Sequence, residues 1–138
     1  MTKTVFVDAN VFLRFFTMDD EGQGEMAEAL FRKAAKGEVR LIVGPPVLFE
    51  VAWTLKSAYR VSREQIIDTI LRIIGMDGLS VTDGDIALNA LNLAASTGQD
   101  FADAYMASTA NSHKAEVATF NIKHFDRLGV HLYKMQDL

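Results

Sequence analysis

Along the chain, short apolar runs typical of strands alternate with longer stretches in which apolar residues recur at helical spacing. Short runs of β-branched and aromatic residues predict strands at residues 4–7, 39–43, 79–81, 116–120 and 130–133. Apolar residues at helical spacing predict helices at residues 10–16, 24–36, 45–58, 63 to Gly75 or Gly78, 85–97, 101–113 and 122–128. Since parallel neighbouring strands need crossover connections, this alternation predicts an α/β fold, with a largely parallel central sheet of four to five strands flanked by helices.

Local signals mark the starts of several of these helices. Pro45 and Pro46 suit a first helical turn, because a proline ring presets the backbone angle required there. Ser62, with Gln65 three residues later, has the pattern of a capping box. Asp100 is placed to cap the helix that follows it.

Length and composition predict one ordinary globular domain over residues 1–138, since 49% of the residues are apolar and 23% are charged. Fourteen Lys and Arg against 18 Asp and Glu give a net charge of −4, which argues against a broad basic surface for nucleic acid or anionic membrane. The absence of cysteine excludes disulfides, thiol nucleophiles and cysteine-ligated metal sites. No signal peptide or membrane span is apparent, so a cytoplasmic protein without a membrane partner is expected.

Three carboxylates stand out because each is the only charged residue in an apolar stretch. They are Asp8 within residues 4–13, Glu50 within 41–55 and Asp103 within 101–112. A carboxylate buried in ionised form without a partner costs several kcal/mol, so each must be capped, paired, protonated or bound to a cation. Trp53, on the same predicted helix as Glu50, is expected in the core.

Each carboxylate also has an ordinary structural explanation. Asp8 is suited to cap a helix, and Glu50 has Arg14 or Lys56 as a possible ion-pair partner. Asp103 lies in the first turn of its helix, where the helix dipole favours an acid.

One shared explanation is more economical, in which a strand end and two helices direct all three carboxylates into one pocket. Crowded carboxylates repel each other unless a cation neutralises them. Oxygen ligands without cysteine favour Mg²⁺ or Mn²⁺ over zinc, and such ions suit phosphate chemistry.

Four segments in order resemble a PIN domain, and specifically the VapC-like toxin ribonucleases of type II toxin-antitoxin systems. They are residues 5–14 (VFVDANVFLR), 43–51 (VGPPVLFEV), 100–107 (DFADAYMA) and 118–121 (ATFN). The resemblance implies a metal-dependent endoribonuclease that hydrolyses RNA phosphodiester bonds with Mg²⁺ or Mn²⁺. It places Asp8, Glu50 and Asp103 at the catalytic, metal-binding positions.

The resemblance also implies supporting roles for several polar residues. Asn10 and Thr119 match polar positions of the family. The family's usual fourth acid, in the pattern T-x-D, is Asn121 here, so a second metal ion should bind more weakly; Asp100 and Asp126 are the candidates to compensate.

The implied reaction is in-line attack of a metal-bound water, which leaves 5′-phosphate and 3′-hydroxyl ends. Arg14 is a possible phosphate contact, with an ion pair to Glu50 or Asp19 as the alternative. The implied partners are RNA, a cognate antitoxin and a second copy of the chain in a homodimer.

Other interpretations stay open. Asn121 favours a catalytically weak, PIN-like RNA-binding module as the alternative to an enzyme. A haloacid-dehalogenase-like phosphotransferase would require an acid at Asn10, and a receiver-type domain matches the late residues poorly. The histidines lack metal-ligand spacing, so structural roles are expected for His113, His124 and His131.

Overall fold

A computed structural model describes residues 2–135 of the chain. The chain divides after Gly84 into two compact units, which we call the N-terminal unit and the C-terminal unit. The assignment of residues 1–138 to one domain stays a prediction. Within the described residues, no helix is both long and apolar enough to cross a membrane.

The N-terminal unit contains a three-stranded parallel sheet flanked by helices. Its elements in chain order are β1 (Lys3–Phe6), α1 (Ala9–Thr17), α2 (Glu21–Ala35), β2 (Val39–Val43), α3 (Pro45–Ser57), α4 (Arg63–Ile74) and β3 (Leu79–Val81). The strand order is β1-β2-β3, and Leu41 of the central strand lies opposite both Val5 and Leu79. The predicted α/β class with a parallel sheet is therefore confirmed.

The alternation of side chains in β2 explains how the sheet contributes to the core. Val39, Leu41 and Val43 are buried, whereas Arg40 between them is exposed, as expected when successive side chains point to opposite faces. Helices α1 and α2 pack together through aromatic rings, and Phe31 lies between two partners. Its ring centroid is 5.4 Å from that of Phe12 and 5.0 Å from that of Phe15.

The helix boundaries in this unit follow the local chemistry of their end residues. Pro45 is the first residue of α3, as predicted. The hydroxyl of Ser62 accepts a hydrogen bond from the backbone N–H of Gln65 at 3.2 Å, which confirms the predicted cap of α4, and Gly75 ends that helix. Helix α2 begins three residues earlier than its apolar pattern indicates, because Asp20 caps it by accepting from the N–H of Gln23.

The C-terminal unit is helical in its regular part. After α5 (Gly84–Thr97), which begins at the boundary between the units, come α6 (Phe101–Ser112) and α7 (Ile122–Asp126). Helices α6 and α7 contact each other. Apolar side chains of this unit are buried, including Leu91, Phe101, Phe125 and Leu128.

The predicted strands at residues 116–120 and 130–133 are wrong. These segments meet only in one parallel bridge, where Val117 donates its N–H to the carbonyl of His131 and accepts from the N–H of Tyr133, both at 2.8 Å. Further pairing is replaced by a turn, in which the Thr119 hydroxyl accepts from the N–H of Asn121 at 2.9 Å. The sheet therefore has three strands within residues 2–135, rather than the four to five predicted.

A close contact between α2 and the residue before β3 gives a test of this packing. Gly78 has φ +80°, and a Cβ there would clash with the carbonyl oxygen of Ala34; Gly37 has φ +77° with open space around it. We expect Gly37→Ala to lower the free energy of unfolding by about 1 kcal/mol through backbone strain alone. Gly78→Ala should cost about 1–3 kcal/mol more, because the backbone must also shift. Urea denaturation of both variants measures the difference, and equal losses would contradict the close packing.

Candidate active site

Asp8 lies directly beyond β1 and begins α1. Its backbone is extended, and its Oδ1 accepts a hydrogen bond from the N–H of Ala9 at 2.8 Å. The capping role predicted as the structural alternative is therefore confirmed. Asp8 is exposed at the turn between strand and helix, so the cost of burying an unpaired carboxylate does not arise here.

Glu50 is also exposed, on the outer face of α3. Val47 and Val51 face the core, whereas the residues that share the Glu50 face are exposed: Pro46, Trp53 and Ser57. Trp53 is 67% exposed, so its expected core position is wrong. The apolar stretch around Glu50 supplies both faces of the helix, and a helix this close to the surface leaves one face in water.

The parallel sheet places the starts of α1 and α3 at one edge. The N–H of Val7 donates to the carbonyl of Ile42 at 3.0 Å, so β1 and β2 stay paired up to Asp8. Helix α3, which carries Glu50, begins just beyond β2, and α1 packs against α3. This edge contains the carboxyl ends of the strands, where parallel α/β sheets commonly bind ligands.

Asp103 lies in the C-terminal unit, in the first turn of α6, with its side chain 23% exposed. Asp100 occupies the N-cap position of the same helix. The Nδ1 atom of His124 lies 3.4 Å from Oδ2 of Asp103, so a neutral or charged imidazole with its proton on Nδ1 can donate to this carboxylate. Sequence reasoning gave His124 only a structural role, because its partner Asp103 lies 21 positions away along the chain.

Thr119 and Asn121 lie together in the same unit. The Thr119 hydroxyl accepts from the Asn121 backbone, and Asn121 occupies the N-cap position of α7. This arrangement brings together two of the predicted supporting residues.

Of the two ion-pair partners considered for Arg14, Asp19 is the one whose carboxylate it contacts. Its Nη1 lies 3.3 Å from Oδ1 of Asp19, and its Nε donates to Oε1 of Gln23 at 2.8 Å. Arg14 also lines a cavity of about 480 Å³ between α1 and α2. The other residues lining it are Asn10, Val11, Gln23, Met26, Ala27 and Leu30.

The side chains at the predicted positions are carboxylates and an amide, whose oxygen atoms are the ligands that suit a hard divalent ion. All of them are exposed or partly exposed. Within residues 2–135, however, no three acidic or histidine side chains are gathered so that they could hold one metal ion. The metal centre is therefore not part of the observed geometry, and the roles of Asp8, Glu50 and Asp103 as ligands stay a prediction.

The network around Arg14 is tested through Asp19. A hydrogen bond from the Tyr59 hydroxyl lowers the pKa of the Asp19 carboxyl, with smaller contributions from Thr17 and the Arg14 charge. Because the folded pKa lies below 3.8, this group stabilises the fold above that pH, and the contribution disappears as pH falls through the folded pKa. We expect Tyr59→Phe to raise the pKa of Asp19, as read from the carboxyl carbon shift in an NMR titration. Tyr133→Phe is the matched control, and an unmoved titration in Tyr59→Phe would contradict the network.

Comparison with known families gives a match over most of the chain. The family model described as PIN domain matches residues 5–130, which is most of the 138 residues. No curated protein matches the chain significantly. The chain therefore belongs to the PIN domain family, whose members are generally nucleases.

Proposed function

We propose that the protein is a metal-dependent endoribonuclease that hydrolyses RNA phosphodiester bonds. The observation that carries this proposal is the PIN match across residues 5–130. The placement of Asp8 supports it, because an exposed carboxylate at the carboxyl end of a parallel strand is accessible to a ligand. Family membership also leaves the dehalogenase-like alternative without support.

Asp8, Glu50 and Asp103 are the proposed catalytic and metal-binding residues. The hydrogen bond from Ala9 to Oδ1 of Asp8 restricts the orientation of that carboxylate, which favours pre-organised binding of a cation. Mg²⁺ or Mn²⁺, when bound, would polarise the phosphodiester and activate water.

Four polar residues are proposed to support this site: Asn10, Asp100, Thr119 and Asn121. Asn121 offers a neutral amide oxygen, so binding of one metal ion is favoured over two. Arg14 is a proposed phosphate contact, and its hydrogen bonds to Gln23 and Asp19 would hold its guanidinium in place.

The biological role we propose is that of the toxin in a type II toxin-antitoxin pair, acting in the cytoplasm as a homodimer that a cognate antitoxin neutralises. Expression of the wild type in a bacterial host should arrest growth, and Asp8→Asn should relieve the arrest at equal protein levels. Growth arrest by Asp8→Asn as strong as that by the wild type would contradict a role that depends on cleavage.

Nuclease activity is tested with purified protein and RNA. We expect cleavage in Mg²⁺ that leaves 5′-phosphate ends and stops with a chelator. Asp8→Asn and Asp103→Asn should each lower the rate by at least about 100-fold, the scale on which one lost electrostatic contact to a transition state acts. Asn also caps helices well, so the first variant should remain folded.

Asp85→Asn is the matched control, because Asp85 is an acid in the first turn of α5 and has no proposed role in the site. Cleavage that survives both the chelator and Asp8→Asn would overturn the proposal. Cleavage by Asn121→Asp but not by the wild type would favour the alternative, a catalytically weak RNA-binding module.

A further inference from the structure

The C-terminal unit contains a locally positive stretch in a chain of negative net charge. Residues 113–134, which we call the basic segment, hold four Lys and Arg against two Asp and Glu, whereas the whole chain has a net charge of −4. All three histidines of the chain also lie in this segment. Its basic residues are all exposed: His113, Lys114, Lys123, His124, Arg127, His131 and Lys134.

Phe120 lies in the middle of the basic segment and is 94% exposed, more than any other large apolar side chain among residues 2–135. Its backbone is held from both sides. The bridge between Val117 and Leu132 fixes the chain before it, and the hydrogen bond from the Asn121 N–H to Thr119 closes the turn around it. Helix α7 follows at once and is anchored by the buried Phe125. The backbone on both sides of Phe120 is therefore held in place while its phenyl ring lies in solvent.

The positive charge of the basic segment indicates what kind of ligand the Phe120 ring would contact. An exposed aromatic ring within a segment that has an excess of lysine and arginine suits a ligand that combines flat apolar rings with negative charge, which describes a single-stranded nucleic acid. A purely apolar protein surface would gain nothing from the exposed lysine and arginine side chains of the same segment. A base inside a duplex is already stacked on both sides, so the ring selects an unpaired base.

We propose that Phe120 is a stacking platform for an unpaired base of RNA, with the basic segment holding the neighbouring phosphates. The proposal deepens the nuclease function and rests on it for the identity of the nucleic acid. His124 belongs to the basic segment and lies 3.4 Å from Asp103, so RNA bound along the segment passes beside a proposed catalytic carboxylate.

The test is a binding measurement without cleavage. Fluorescence anisotropy of a labelled single-stranded RNA oligonucleotide is recorded with the full chain in chelator. Phe120→Ala should weaken binding roughly tenfold, the scale of one lost base stack. Phe120→Trp should bind as tightly as the wild type, whereas Phe120→Leu should remain weak because it keeps apolar area but has no aromatic face. Trp53→Ala removes an aromatic side chain that is 67% exposed on α3, and it should leave binding unchanged.

The salt dependence of RNA binding distinguishes the contribution of the Phe120 ring from that of the basic side chains. Lys123→Ala should reduce the slope of log K against log salt by about 0.7, the value for one phosphate contact on a single strand. Phe120→Ala should leave that slope unchanged, since stacking releases no counterions.

Several results would overturn the platform. One is RNA binding by Phe120→Ala or Phe120→Leu that is as tight as that of the wild type. Another is the absence of single-stranded RNA binding by the wild type. A third is a changed oligomeric mass of Phe120→Ala in light scattering, which would make Phe120 a contact between protein chains. Failure of the proposed nuclease function gives a different result from failure of the stacking platform. A wild type that binds RNA through Phe120 but does not cleave it would refute the nuclease and keep the platform.

Discussion

Parallel pairing of β1 with β2 is the constraint on which the arrangement of the N-terminal unit depends. Because the two strands run in the same direction, each must be followed by a helix that begins at the same edge of the sheet. The pairing continues through the hydrogen bond from Val7 to Ile42, so α1 begins at a fixed point and Asp8 becomes its cap. A shift of one residue would turn Val39, Leu41 and Val43 to the other face of the sheet, and burial of those side chains therefore holds the register.

Elements with strong local signals were predicted from the sequence, and elements that depend on distant pairing were not. Strands β2 and β3 occur at the predicted residues, and Ser62 caps α4 through its own side chain. By contrast, residues 116–120 have the composition of a strand, yet only Val117 pairs. Strand formation requires a partner along its full length, whereas the Thr119 hydroxyl satisfies a neighbouring backbone N–H locally and ends the ladder.

The roles of Asp8, Glu50 and Asp103 in the candidate site stay a prediction, and the apolar pattern around these residues was a poor guide to their environment. An isolated acid in an apolar run looks buried when the run is treated as one face. In α3 the run covers two faces, so Val51 is buried while Glu50 and Trp53 lie in water. The contact between His124 and Asp103 spans 21 positions and joins two helices, so no local pattern could show it. Because Asp8 and Glu50 are exposed, burial energy does not explain them; family membership supports their proposed roles, and for Asp8 so does its placement at a strand end.

Net charge alone is a poor guide to whether part of this chain could bind a polyanion. Charges on a protein surface are screened over about 8–10 Å at ordinary ionic strength, so a phosphate responds to nearby side chains rather than to the total. The exposed residues Glu21, Glu25 and Glu28 on α2 contribute to the negative total, whereas residues 113–134 are positive. Under the proposed RNA binding, a chain of negative net charge would thus hold one stretch of RNA locally, with modest salt dependence because only four Lys and Arg residues are available in that segment.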